Sequence, residues 1–177
     1  MGWPTSEDLE MLGNVSKEEL LQLLFLHIKN LWRVDGLYFL GIEERFGTEA
    51  ATGVDADCWK IMGKTEAREL KAKLGIAEND VMSLIQALRN TSWALYQTEK
   101  ESEASAEKGV FRVKRCRVQE TRIRKGLGEF PCKRVRFGYL QSFAEEFNPK
   151  IEMICKMCPP GPHAENVWCE WEFTLRK

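Results

Sequence analysis

The chain has 177 residues, 44% hydrophobic and 30% charged, a balance that excludes a disordered polyelectrolyte and is enough for one domain with its own core. The 26 basic and 27 acidic residues leave a formal charge of −1, which makes nucleic acid an unfavoured partner. No apolar run reaches the roughly 18 residues of a membrane-spanning helix. The start, Met1 to Glu7, lacks a basic leader, so the cytoplasm is the expected address.

In chain order, residues 14–45 read as a helix. Ser16 and Glu19 form a capping box, Leu20, Leu23, Leu24, Ile28 and Leu31 recur at helical spacing, and Gly36 marks a kink or a close helix contact. Further helices are expected over residues 50–62, from Thr65 to Gly75, and after an Asn79 or Asp80 cap. The polar stretch 99–109 predicts a mobile linker. Residues 110–123 are rich in β-formers but alternate imperfectly, which predicts a strand with a bulge or one lining a polar cavity. Pro131 starts a long helix that Asn148-Pro149 closes. Ile151, Met153, Cys155 and Met157 alternate, as do Val167, Cys169, Trp171, Phe173 and Leu175, so two antiparallel strands flank the proline-rich loop 159–162. The expected fold is α+β in a single domain: N-terminal helices (1–98) packed against a C-terminal antiparallel sheet with one long helix (110–177).

Five of the six cysteines follow residue 115. Cys155, Cys158, His163 and Cys169 have the residue types and spacing of a Cys3His zinc site; the competing reading is that the thiols pack as small hydrophobes or serve in redox chemistry. Cys132 sits at a predicted helix N-terminus beside Lys133, Arg134 and Arg136, where a thiolate is favoured, and His163 is the candidate base for such a nucleophile. Eleven basic residues between Lys108 and Arg136 face only Glu120 and Glu129. They suit a pocket for an anionic small molecule or pairing with the acidic helical half; a basic RNA-binding face is the alternative. Asp35, Phe39 and Glu43 share one helix face near Trp32, Asp55 and Trp59, and a solvated face accounts for these carboxylates more simply than a metal or acid–base role does.

The run Trp32-x2-Asp35-Gly36-x2-Phe39-x3-Glu43-x2-Phe46-Gly47, with Asp55 and Trp59, resembles an uncharacterised prokaryotic family. So do Cys116-x2-Gln119-x2-Arg122, Gly126-Leu127-x2-Phe130-Pro131-Cys132 and the stretch from Cys155 to Phe173. That family resembles the aminothiazoline-carboxylate hydrolases, and Cys169-x-Trp171-x-Phe173 is similar to the ending of vinyl-reductase-type small-molecule-binding domains. The resemblance implies helices on an antiparallel sheet around a small-molecule pocket. It also implies cleavage of a C–N bond in a small cyclic amidine or amide. Cys116, Gln119, Arg122 and Trp171 are then the expected ligand-binding residues, while Cys132 and His163 as catalytic candidates and zinc as candidate cofactor rest on the residue types and spacing above. A structural zinc module and a homodimer are further expectations.

Overall fold

The computed structural model describes residues 4–176. It opens with α1 (Ser6–Gly13), α2 (Lys17–Phe46) and α3 (Thr48–Lys73), followed by the short α4 (Val81–Leu88) and α5 (Ser92–Tyr96). Strands β1 (Glu99–Ala104) and β2 (Lys108–Arg115) precede α6 (Arg117–Arg124) and α7 (Cys132–Phe147), and β3 (Ile151–Met157) and β4 (Cys169–Leu175) complete the chain. The fold is α+β, as expected, with one antiparallel sheet in the order β1-β2-β4-β3.

The Ser16–Glu19 capping box starts α2 as expected: the Glu19 backbone N–H donates to the Ser16 hydroxyl, and the Glu19 carboxylate accepts from the Ser16 backbone. α2 then continues to Phe46 without a break at Gly36. Gly47, at φ 85°, turns the chain directly into α3, a conformation that favours glycine. The two helices expected over 50–62 and from Thr65 are one helix, because nothing between Met62 and Thr65 interrupts its backbone bonds. α3 and α7 lie very close. A Cβ at Gly63 would fall 2.3 Å from the Tyr139 carbonyl oxygen, and the Ser142 hydroxyl donates to the Lys60 carbonyl at 2.7 Å.

One sheet face carries Phe111, Val113, Cys169, Trp171 and Phe173, all buried, in a core shared with Leu84 and Leu88 of α4 and Val135, Leu140 and Phe143 of α7. The other face is a ladder of charges. Arg112 bonds Glu103 and Glu170, Lys114 bonds Glu101, and Lys108 pairs with Glu172. Much of the basic segment is thus neutralised inside the sheet, and Arg122 and Arg134 pair with Glu43 and Glu49 of the helical half.

Two further expectations need correction. Residues 99–109 are not a linker: they form β1 and the turn into β2, in register from Glu99↔Arg115 to Ala104↔Gly109. β1 is an exposed edge strand, so its sequence is polar and charged, as suits an edge that resists pairing with other chains. The strand expected over 110–123 ends at Arg115, and Arg117–Arg124 is helical. The buried face of α6 consists of Gln119 and Arg122, so no apolar periodicity announced the helix.

Candidate functional site

Cys155 and Cys169 lie on neighbouring antiparallel strands, with Cys169 buried and Cys155 half-buried. They are not direct partners: Cys155 faces Trp171, and Cys169 faces Val113. β3 ends at Met157, which frees Cys158 from strand alternation. The Cys158-Pro-Pro-Gly turn closes with the Gly161 N–H donating to the Cys158 carbonyl at 3.0 Å. The Lys133 N–H donates to the Pro159 carbonyl at 2.8 Å, docking this turn on the first turn of α7. Cys158 is thereby within hydrogen-bonding reach of Cys132, Cys155 and Cys169. The arrangement is a star about one sulfur: among the described residues, no three His, Cys, Asp or Glu side chains surround a common metal position. The shared bonds push the Cys158 thiol far up and hold Cys132 and Cys155 below the usual thiol range. For Cys132, the Cys158 bond acts first, burial opposes it, and the Arg136 charge assists.

His163 stands apart from this star. Its Nδ1 is 3.1 Å from the Ala164 carbonyl, its Nε2 is 3.1 Å from Glu129, and its ring lies against Trp168. Burial pulls its pKa down, but Glu129 and neighbouring carbonyls outweigh that and raise it. The expected Cys3His set and the Cys132–His163 pairing are therefore corrected, because both ring nitrogens are engaged elsewhere.

Beside Cys132, a buried polar cluster joins α2, α3 and α7. Trp32 and Trp59 stack at 4.8 Å with planes 2° apart, and Tyr96 stacks on Trp32 at 5.6 Å. The Arg136 guanidinium lies 4.6 to 5.4 Å from the ring centres of Trp59, Trp32, Tyr139 and Trp93. Such a cage offsets part of the desolvation of the cation through the ring quadrupoles. One Arg136 terminal nitrogen is buried without a partner. Asp35 accepts from the Trp59 indole N–H at 2.9 Å and shares a hydrogen bond with Asp55. Burial first, and then the Asp35 charge, raise the Asp55 pKa to about 7; burial raises Asp35 as well, opposed by Arg136 and the indole. The two carboxyls therefore share a proton near neutral pH. This overturns the reading of the face as solvated: Phe39 is buried, and Asp35 and Glu43 are only partly accessible.

Asp35 also reaches a cleft of about 460 Å³ between α2, α5 and α6. Trp32, Phe39, Tyr96 and Phe130 line it, and Lys29, Arg33, Arg117, Arg124 and Lys125 bring positive charge to it. Arg122 forms part of its wall, held by the Glu43 carboxylate at 2.9 and 3.0 Å and by the Leu127 carbonyl at 3.3 Å. Of the four expected ligand residues, only Arg122 lines this cleft. The Gln119 amide is consumed by the Phe130 backbone, donating at 3.0 Å and accepting at 2.7 Å. Trp171 is fully buried in the sheet core, and Cys116 is buried at the start of α6, where desolvation raises its thiol pKa. Sequence reasoning did not single out Arg136 as a site residue. Its signal was a charge inside the apolar stripe of Val135, Tyr139, Leu140 and Phe143.

Residues 13–175 match the model of a family of unknown function (DUF6125). The chain belongs to that family. No curated protein and no solved structure matches it. In this member of the family, no helix among the described residues is long and apolar enough to cross a membrane.

Proposed function

We propose that the protein binds a small anionic organic molecule in the cleft between α2 and α6. The observation that carries this reading is the lining itself, a wall of aromatic rings with five cations around it against two carboxylates, Asp35 and Glu120. The volume, about 460 Å³, suits a ligand of metabolite size. The rings would take a flat apolar body, and Arg33, Arg117, Arg124 or Lys125 would meet a carboxylate. The test is a tryptophan-fluorescence titration with small aromatic and heterocyclic carboxylates. Saturable binding that weakens about tenfold in Arg117→Glu and Lys125→Glu is the expected result. No response to any carboxylate, or responses indifferent to both substitutions, would sink the reading. In its hydrolytic version, Asp35, which lines the cleft as Cys132 does not, would be the acid–base group, with Asp55 behind it sharing its proton. Ring opening of a cyclic amidine acid, lost in Asp55→Asn with binding retained, would distinguish hydrolysis from binding.

A second reading is favoured by the convergence of Cys132, Cys155 and Cys169 on Cys158: a structural zinc–thiolate site. The thiols would need to separate around the ion, with Cys132 and Cys155, the two held below the usual thiol range, the first to supply thiolate. Elemental analysis and thiol labelling test it. Cys58, the exposed cysteine, should react first under all conditions. Under the zinc reading a chelator should then accelerate labelling of Cys155. Labelling indifferent to chelator, with no bound zinc, leaves simple burial.

A further inference from the structure

Residues three apart on a regular strand point to opposite faces, so a Cys-x2-Cys pair running off β3 should hold its sulfurs apart. β3 is not regular there. Its pairing with β4 passes from Cys155↔Trp171 to Met157↔Glu170, so two steps along β3 answer one step along β4. Such a bulge re-aims the side chains that follow it. The strand then ends at Met157, and the turn closed by the Gly161 N–H docks on α7 at Lys133. Cys158 is thereby brought within hydrogen-bonding reach of Cys155, against the alternation of the strand.

The two thiols differ in access. Cys158 is 2% exposed and is also reached by Cys132 and Cys169, whereas Cys155 is half-buried. Cys132 and Cys169 are buried, so Cys155 is the most accessible thiol of the star. A reagent that arrives at Cys155 finds Cys158 directly behind it, as an attacking thiol and a resolving thiol are placed. Packing as small hydrophobes accounts for the buried Cys132 and Cys169, but not for a thiol set half in water in front of another. The Lys133 charge lies beside Cys155, and Lys156, next in the chain, is exposed. Two cations at the entry favour an anionic reagent. Neither thiol lines the cleft between α2 and α6, so their chemistry does not depend on what the cleft binds.

We infer that Cys155 and Cys158 form a redox-active dithiol that a small carboxylate-bearing disulfide converts to an intramolecular disulfide. The Cys155 sulfur attacks one sulfur of the oxidant, and the first small thiol leaves. The Cys158 sulfur then attacks the Cys155 sulfur of the mixed disulfide and expels the second. One protein S–S bond forms and the oxidant's S–S bond breaks. The two electrons and two protons of the dithiol end on the two small thiols.

Glutathione disulfide is the probe, on the full chain carrying Cys58→Ser so that this exposed cysteine cannot link two molecules. Prior treatment with chelator keeps zinc off the thiols. Peptide mass spectrometry of the folded protein should show a Cys155–Cys158 disulfide, reversed by dithiothreitol, with no lasting glutathione adduct. Cys158→Ser and Cys158→Ala, each checked by circular dichroism, should instead accumulate glutathione on Cys155. Cys155→Ser should be oxidised at least tenfold more slowly, because Cys158 is buried. Lys133→Glu should slow the reaction severalfold at low salt with glutathione disulfide and quicken it with the cationic disulfide cystamine. The inference is overturned by an absence of disulfide in folded protein, or by a glutathione adduct that persists on Cys155 with Cys158 intact. A disulfide from Cys158 to Cys132 or Cys169 that leaves Cys155 free, or unchanged oxidation of Cys155→Ser, does the same. Rates indifferent to Lys133→Glu with both disulfides would overturn the anionic class of oxidant.

Discussion

Asp55 is one residue in which fold and chemistry oppose each other. Its carboxyl is buried beside another carboxyl, so the folded state favours its protonated form. A pKa raised from 3.8 to about 7 means that the folded chain holds a proton the unfolded chain has released. The stability contribution is fully present below about pH 4 and is lost as pH rises through about 7. Asp55→Asn removes the charge but keeps the shape and a hydrogen-bonding group. Urea unfolding should therefore show the variant more stable than wild type at pH 8, by on the order of 2–4 kcal/mol, with the difference shrinking towards pH 4. A constant difference across that range would place the effect in packing and not in titration. The neighbouring Arg136 and the Asp35 partner set the size of the effect, so neither can be read from residue 55 alone.

Elements meet most tightly where α3 crosses α7. Gly63 is required there because the Tyr139 backbone fills the space its side chain would take. A backbone carbonyl cannot rotate away as a side chain can, so the helices must separate or tilt to admit a methyl group. Gly63→Ala should cost about 1–3 kcal/mol despite the better helix propensity of alanine. Gly36→Ala, which meets nothing within 4 Å, should be neutral or stabilising. Chemical denaturation of the two variants side by side checks both statements. The pair also shows why Gly36 marks neither a kink nor a close helix contact: a glycine within a helical pattern carries no information about which neighbour, if any, approaches it. α6 gives the converse case. Its inward side chains are polar: Gln119 bonds the Phe130 backbone, and Arg122 bonds Glu43 and the Leu127 carbonyl, with its Nε left without a partner. Hydrophobic period is silent where burial is achieved by hydrogen bonds.

The whole molecule is tied together by α7, which packs on α3 with one side and contributes Leu140 and Phe143 to the core that holds Phe111 and Trp171. The helical half and the sheet therefore share a core, and unfolding should be a single transition. Far-ultraviolet circular dichroism and tryptophan fluorescence should give coincident denaturation curves. Two separate midpoints would show that α2 and α3 unfold independently of the sheet. Capping residues, helical spacing and strand alternation determined, in sequence alone, that α2, α4, α7, β3 and β4 exist, because each signal lies within a few residues and acts on the local backbone. The α+β class and the placing of Cys155 and Cys169 on adjacent strands followed from the same local signals. Only the tertiary structure decided that Cys132 completes the thiol star in place of His163, that Asp35 pairs with Asp55, and that Arg136 sits in an aromatic cage. Those contacts join residues up to about a hundred positions apart. They depend on the crossing of α2, α3 and α7 and on where the 158–161 turn docks, and no periodicity along the chain encodes a distance between elements that meet only when it folds.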